Sequence, residues 1–166
     1  PESQDVCFIE GDYRDFLRAR GAAGEPGDIV DRSGRVLGRH AGLPGYTVGQ
    51  RKGIGIAAAA PYYVVEKRAG SNELVVGFAE AALAKAVRTG RMNWQASATL
   101  DGPRAAMAKL RYRSRATPCI IEPQNGQGVR IAMRTPQPTT APGQYAVLYE
   151  SDTVLGGGMI EEVEQA

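Results

Sequence analysis

Long apolar runs are missing from this chain of 166 residues, and so are clustered cysteines and histidines. No stretch approaches the roughly 20 apolar residues of a membrane-spanning helix, and PESQDVCF shows no secretory leader pattern. The two cysteines, Cys7 and Cys119, are far apart, and His40 is the single histidine. That excludes a clustered zinc-type ligand set and leaves one conceivable disulfide, which agrees with a reducing, cytoplasmic setting. A net charge of +2 is too small to imply a polyanion partner by itself. Hydrophobic residues make up 43% of the chain, which excludes a disordered or collagen-like one. What the sequence does have is arginine: 16 of its 20 basic residues. Arginine is the side chain suited to forked contacts with phosphates and base edges.

The turn residues punctuate a mainly β chain. Gly11-Asp12 can open a short helix through DYRDFLRAR, with Tyr13, Phe16 and Leu17 on one stripe and Arg14, Arg18 and Arg20 mostly off it. DIV and RVLGRH read as a hairpin turning at Ser33-Gly34, and YYVVEK and ELVVG as a second one. The run AEAALAKAVRTG, residues 79–90, has high helix propensity but serves equally well as a connector. Beyond it NWQASATL, AAMAKLRYRS, TPCIIEP, GVRIAMR, YAVLYES and TVLGGGMIEEV predict six short strands, enough for a small closed barrel. The expected organisation is a tail at 1–18, a small β-rich domain at 19–78, a connector at 79–89 and a barrel at 90–166. The opening residues are expected to follow a domain that has been cut away.

Few residues offer chemistry. In GQRKGIG, Gly49, Gly53 and Gly55 allow tight turning around Gln50, Arg51 and Lys52, which suits either a phosphate cradle or a structural turn. The glycine spacing is not that of a nucleotide-binding P-loop. His40 is expected to pack or hydrogen-bond rather than catalyse. If AKLRYRSR is one strand, Lys109, Arg111, Arg113 and Arg115 share a face at about 7 Å spacing, and that self-repelling row favours a polyanion opposite. Trp94, Tyr62 and Tyr63 can stack on bases but are more often core. Cys119 in TPCII reads as packing, and the Gly156-Gly157-Gly158 run as close backbone approach. For Cys7, flanked by Asp5 and by Phe8-Ile9, the residues leave a reactive thiol and a packing side chain both open.

Together these pieces resemble the C-terminal half of the bacterial-type tRNA-specific 2-thiouridylases. The resemblance rests on SQDVCFI (3–9), PGDIVD (26–31), GRHAGLPGYTVGQRKGIGI (38–56), YYVVEK (62–67), KLRYR (109–113), PC (118–119), TPQ (135–137), APGQYAVLY (141–149) and LGGGMI (155–160). It implies a small central β domain and an elongation-factor-like barrel that both grip tRNA. It also implies Cys7 as the persulfide carrier that supplies sulfur to the wobble uridine. ATP with magnesium would activate the uridine C2 oxygen in a preceding adenylation domain, which would also hold a second cysteine. Partners implied are tRNA and a sulfur donor such as a cysteine desulfurase, with no membrane. The resemblance raises the expectation of tRNA contact at Arg51, Lys52, Lys109, Arg111 and Arg113. Ala57-Ala58-Ala59-Ala60 depart from the further glycines common in relatives. The alternative is a stand-alone RNA-binding or translation-factor-like module with inert cysteines.

Overall fold

A computed structural model describes residues 12–95, 100–112, 114–124 and 126–166, which form two compact units divided between Ala82 and Leu83. The expected carrier Cys7 and Arg113 therefore lie outside the described residues.

In the first unit, helix α1 (Tyr13–Ala19) starts where Asp12 accepts a hydrogen bond from the Arg14 N–H at 2.8 Å. Of the expected apolar stripe only Leu17 is buried. The sequence places this helix in a tail belonging to another domain; instead it packs on the short 3-10 turn Leu43–Gly45 of the first unit. Strands β1 (Gly27–Val30) and β2 (Val36–His40) form the first hairpin, and β3 (Tyr63–Arg68) and β4 (Glu73–Gly77) the second. Between β1 and β2, Asp31 accepts from the backbone N–H groups of Ser33 and Arg35 while Gly34 takes φ +86°. The hairpins join through a parallel β1–β4 pair, giving the sheet order β2-β1-β4-β3. Ile29, Val64, Leu74 and Val76 fill its core with Leu43, Tyr46 and Ile54.

The second unit is a closed six-stranded antiparallel barrel. Its strands are β5 (Leu83–Trp94), β6 (Arg104–Lys109), β7 (Thr117–Pro123), β8 (Val129–Pro138), β9 (Tyr145–Glu150) and β10 (Thr153–Gln165). They run β10-β5-β8-β7-β6-β9, and the β9–β10 hairpin closes the ring. Residues 83–89, expected to be a connector or helix, are instead the first half of β5, and only Ala79–Ala82 form a 3-10 turn. Ala84 and Ala86 are fully buried, so their packing inside a narrow barrel overrides alanine's helix preference. The described part of the first barrel strand ends at Trp94, and residues 96–99 of the NWQASATL run lie outside the described residues.

The glycine run on β10 has the expected structural cause. A Cβ on Gly156 would meet the Asn93 carbonyl oxygen at 2.6 Å, and one on Gly158 would meet the Met92 sulfur at 2.6 Å. On the barrel surface Glu164 accepts hydrogen bonds from Arg130 at 2.8 and 2.9 Å and from Arg88 at 3.1 Å. These bonds from Arg130, with the two guanidinium charges, outweigh partial burial and hold the Glu164 carboxyl at about 2, below its ordinary 4.5. A depressed carboxyl stabilises the fold above its unfolded value and loses that contribution as pH falls toward the folded one. We expect the stability of the barrel to fall between about pH 4.5 and 2 on this account, and Glu164→Gln to flatten that decline. Urea unfolding of both proteins from pH 6 downward measures it, and parallel curves would contradict the assignment.

Candidate functional site

The predicted histidine is structural. His40 is 2% exposed; its Nδ1 accepts from the Gly42 N–H at 3.0 Å, so Nε2 carries the proton and donates to the Asn72 carbonyl at 3.0 Å. Gly27 makes room for this knot, since a Cβ there would lie 2.7 Å from Nε2 and collide with the Asn72 oxygen. With both ring nitrogens used, His40 has no lone pair or proton to offer a substrate.

The glycine-rich segment is an ordered loop. Gly49, Gly53 and Gly55 take φ values of +85°, +71° and +82°, which side chains with a Cβ rarely adopt. The Gly49 N–H donates to the Val64 carbonyl at 2.7 Å, the Gln50 N–H to Thr47 at 3.0 Å, and the Gln50 amide to the Lys52 carbonyl at 2.8 Å. Two of the N–H groups expected in a phosphate cradle are thus already engaged. Ile54 pins the loop to the core, whereas Arg51 and Lys52 are exposed. The group that clamps the loop is one that sequence reasoning misses. Arg14 donates to the Gly45 carbonyl at 3.3 Å and to the Gly53 carbonyl at 3.1 Å, with its guanidinium 5.1 Å from the centre of the Tyr46 ring. Its position off the helix's apolar stripe indicates only a solvated charge, because its partners lie 31 and 39 residues away.

Of the expected row of four basic residues on one strand, Arg113 lies outside the described residues and the other three do not share a strand. Strand β6 stops at Lys109, and residues 110–112 and 114–116 lie outside the strands, ahead of β7. Leu110, 4% exposed, dives into the barrel core, and its carbonyl accepts from Thr140 Oγ1 at 3.5 Å. The Ser114 N–H and Oγ both donate to the Arg111 carbonyl, at 3.1 and 2.9 Å, and the Arg111 N–H lies 3.3 Å from Ser114 Oγ. A buried leucine and a turn-forming serine break the alternation that a strand needs. Lys109, Arg111 and Arg115 are instead gathered around a turn, with Lys109 and Arg111 half-buried and Arg115 exposed. Elsewhere on the barrel Arg88, Arg104 and Arg130 pair with carboxylates, but no carboxylate pairs with Lys109 or Arg115 among the described residues.

Of the aromatics named from sequence, Tyr62 packs on the sheet core and stacks against Phe78 at 4.7 Å, and Trp94 packs on the barrel core. Cys119, as expected, is packing: it is 1% exposed, and burial pushes its thiol up to about 11. Among the described residues no group of His, Cys, Asp and Glu can hold a metal ion, and no helix is long and apolar enough to cross a membrane.

An ordered glycine loop on a small sheet, followed by a basic turn on a closed barrel, defines a mainly β protein of two compact units. Residues 14–78 match the tRNA methyl transferase PRC-barrel domain, and residues 84–160 the aminomethyltransferase beta-barrel domain. The chain is 47% identical to a tRNA-specific 2-thiouridylase MnmA 1 of Syntrophus aciditrophicus, over 98% of this chain and 43% of that relative. It is 48% identical to a tRNA-specific 2-thiouridylase MnmA of Microcystis aeruginosa, over 96% of this chain and 46% of the relative. A Synechococcus relative of the same name is 45% identical over 99% of the chain. The chain belongs to the tRNA-specific 2-thiouridylase family and spans somewhat under half the length of these curated relatives, matching their C-terminal part.

Removing the clamp tests the loop's construction. We expect Arg14→Ala to cost about 1–2 kcal/mol and to speed tryptic cleavage after Arg51 and Lys52 several-fold. Cleavage at an unchanged rate would show that the glycine turns alone fix the loop.

Proposed function

We propose that this chain is the sulfur-carrying and tRNA-binding part of an enzyme that converts the wobble uridine of tRNA to 2-thiouridine. The observation that carries the reading is the match, at 45–48% identity over 96–99% of the chain, to 2-thiouridylases that are more than twice as long. Cys7, in SQDVCFI, is assigned as the carrier of a persulfide, Cys7–S–SH. Its terminal sulfur replaces the uridine C2 oxygen, which departs with the group that adenylation has joined to it. A second thiolate attacks the inner Cys7 sulfur, forming a disulfide and freeing the outer sulfur as hydrosulfide, so that the attacking thiolate is oxidised from −2 to −1 as the outer sulfur is reduced from −1 to −2 and Cys7 keeps its oxidation level. Cys119 does not suit that second role, since its thiol is buried and its pKa is raised to about 11. The resolving cysteine is therefore assigned to another part of the protein. ATP with magnesium is assigned there too, to the adenylation domain that the family resemblance implies. A sulfur donor such as a cysteine desulfurase loads Cys7, and the cytoplasm, where tRNA and reduced thiols coexist, is the assigned compartment.

On this reading Arg51, Lys52, Lys109, Arg111, Arg113 and Arg115 reach phosphates, which positions the tRNA without reading its sequence. Binding of tRNA to the chain should weaken steeply between 50 and 200 mM salt, as counterion release requires. Replacing Arg51, Lys52, Lys109 and Arg115 by glutamine should weaken it further at low salt and lower the salt slope by about one for each phosphate left without its cation. The chain supplied with ATP and a sulfur donor should form no 2-thiouridine. Equal binding by the charge variants would favour a protein-contact module instead, and 2-thiouridine formation would overturn the assignment of the ATP site and resolving cysteine elsewhere.

A further inference from the structure

Helix α1 presents two aromatic rings to solvent. Tyr13 and Phe16 stand at i and i+3, which makes them neighbours on one helix face, and they are 45% and 37% exposed. A helix of seven residues does not hold itself in water, so its place is set by the first unit. Leu17 is buried beneath it, and Arg14 ties it to the Gly45 and Gly53 carbonyls. The rings therefore ride on a fixed support, which limits the entropy given up when something covers them. The charges around them are uneven. Arg18 is neutralised by Asp15 at 2.7 Å. The Arg20 guanidinium lies 4.9 Å from the centre of the Phe16 ring and pairs with no carboxylate among the described residues. The face is thus an apolar pair with one unneutralised cation at its edge.

We propose that this face docks the protein that delivers sulfur to Cys7, a persulfide-bearing partner whose own surface offers an apolar cleft edged by carboxylates. The inference rests on the sulfur-carrier reading above and adds to it the place where the donor sits. Tyr13 follows Cys7 by six residues, a span of at most about 22 Å, so a donor seated on α1 is held close to that thiol. The Cys7 thiolate attacks the outer sulfur of the donor persulfide and forms a new S–S bond to it. The donor's S–S bond breaks with its electron pair left on the donor cysteine, which departs as a thiolate. Cys7 is oxidised as the donor cysteine is reduced, so no outside oxidant enters. RNA fits this face poorly, because Arg20 already covers one side of the Phe16 ring and one free cation is a small charge for a polyanion. A second copy fits poorly too, since a two-fold contact would bring both Arg20 charges to the rim of one small apolar patch. The small area suits a donor that must leave after each transfer, as transient contacts are small.

The test is the rate at which Cys7 gains a sulfur, read from the mass of its peptide, over a range of cysteine desulfurase concentrations with free cysteine. The chains compared are the unaltered one, Tyr13→Ser combined with Phe16→Ser, and Arg20→Glu. Sodium polysulfide, which needs no docking, is the second sulfur source. Thermal unfolding checks each fold, and Arg20→Glu changes an exposed side chain, so it still decides the matter if the double variant does not fold. We expect the double variant to need roughly tenfold more desulfurase for half-maximal loading. Arg20→Glu should need several-fold more at about 50 mM salt, and the deficit should shrink at about 200 mM. Polysulfide should load Cys7 equally in all three chains. An unchanged desulfurase requirement in both variants, an equal loss with polysulfide, or a desulfurase that never loads the unaltered chain overturns the docking assignment, and loading by polysulfide then leaves the carrier reading intact. Loading that depends on the chain's own concentration overturns it in favour of a second copy. Weaker tRNA binding by the variants at an unchanged desulfurase requirement overturns it in favour of RNA. No sulfur on Cys7 of the unaltered chain from either source overturns both readings.

Discussion

Closure of the barrel through β10 is the constraint on which the second unit depends. This strand of 13 residues pairs with β5 along one edge and with β9 along the other, and so completes a ring without free edges. Its middle passes so close to β5 that side chains at Gly156 and Gly158 would strike the Asn93 oxygen and the Met92 sulfur. The cost of three strand glycines in chain entropy is offset by the backbone approach they permit. Everything else in the unit follows from the ring: a core of Val87, Ile121, Ile131, Leu148 and Ile160, and a β6–β7 connection short enough to hold basic side chains together.

The hairpins are legible in the sequence because their information is local. Ser33-Gly34 and the residues before Glu73 carry turn chemistry, and β-branched runs flank them. Strand β5 is not, because an alanine-rich segment is a strand only when neighbours on both sides supply the pairing, as β8 and β10 do for Ala84 and Ala86. LRYRSR misleads for the opposite reason. Its alternation of apolar and basic residues imitates a strand, but Leu110 is a core anchor and Ser114 a turn closure. Arg14 leaves no local signal at all, since both carbonyls it holds come from a loop more than thirty residues on.

At the level of chemistry the two cysteines separate cleanly. Cys119 is a small apolar side chain in a strand, with its sulfur 3.4 Å from the Ala106 carbonyl and its thiol far from ionising near neutrality. Cys7 owes its proposed role to its place in SQDVCFI and to the family, and on that proposal the sulfur chemistry within this chain rests on it. The basic loop and turn have a different proposed task, which is to hold a polyanion by charge while the glycine turns and the barrel hold them in place.

The central claim, that Cys7 carries the sulfur and Cys119 does not, is tested most directly by loading the chain with a cysteine desulfurase and free cysteine. Cysteine-containing peptides are then weighed under non-reducing conditions. The account predicts one added sulfur on the Cys7 peptide and none on the Cys119 peptide. Sulfur found on Cys119, or a Cys7 that stays unmodified, would contradict it.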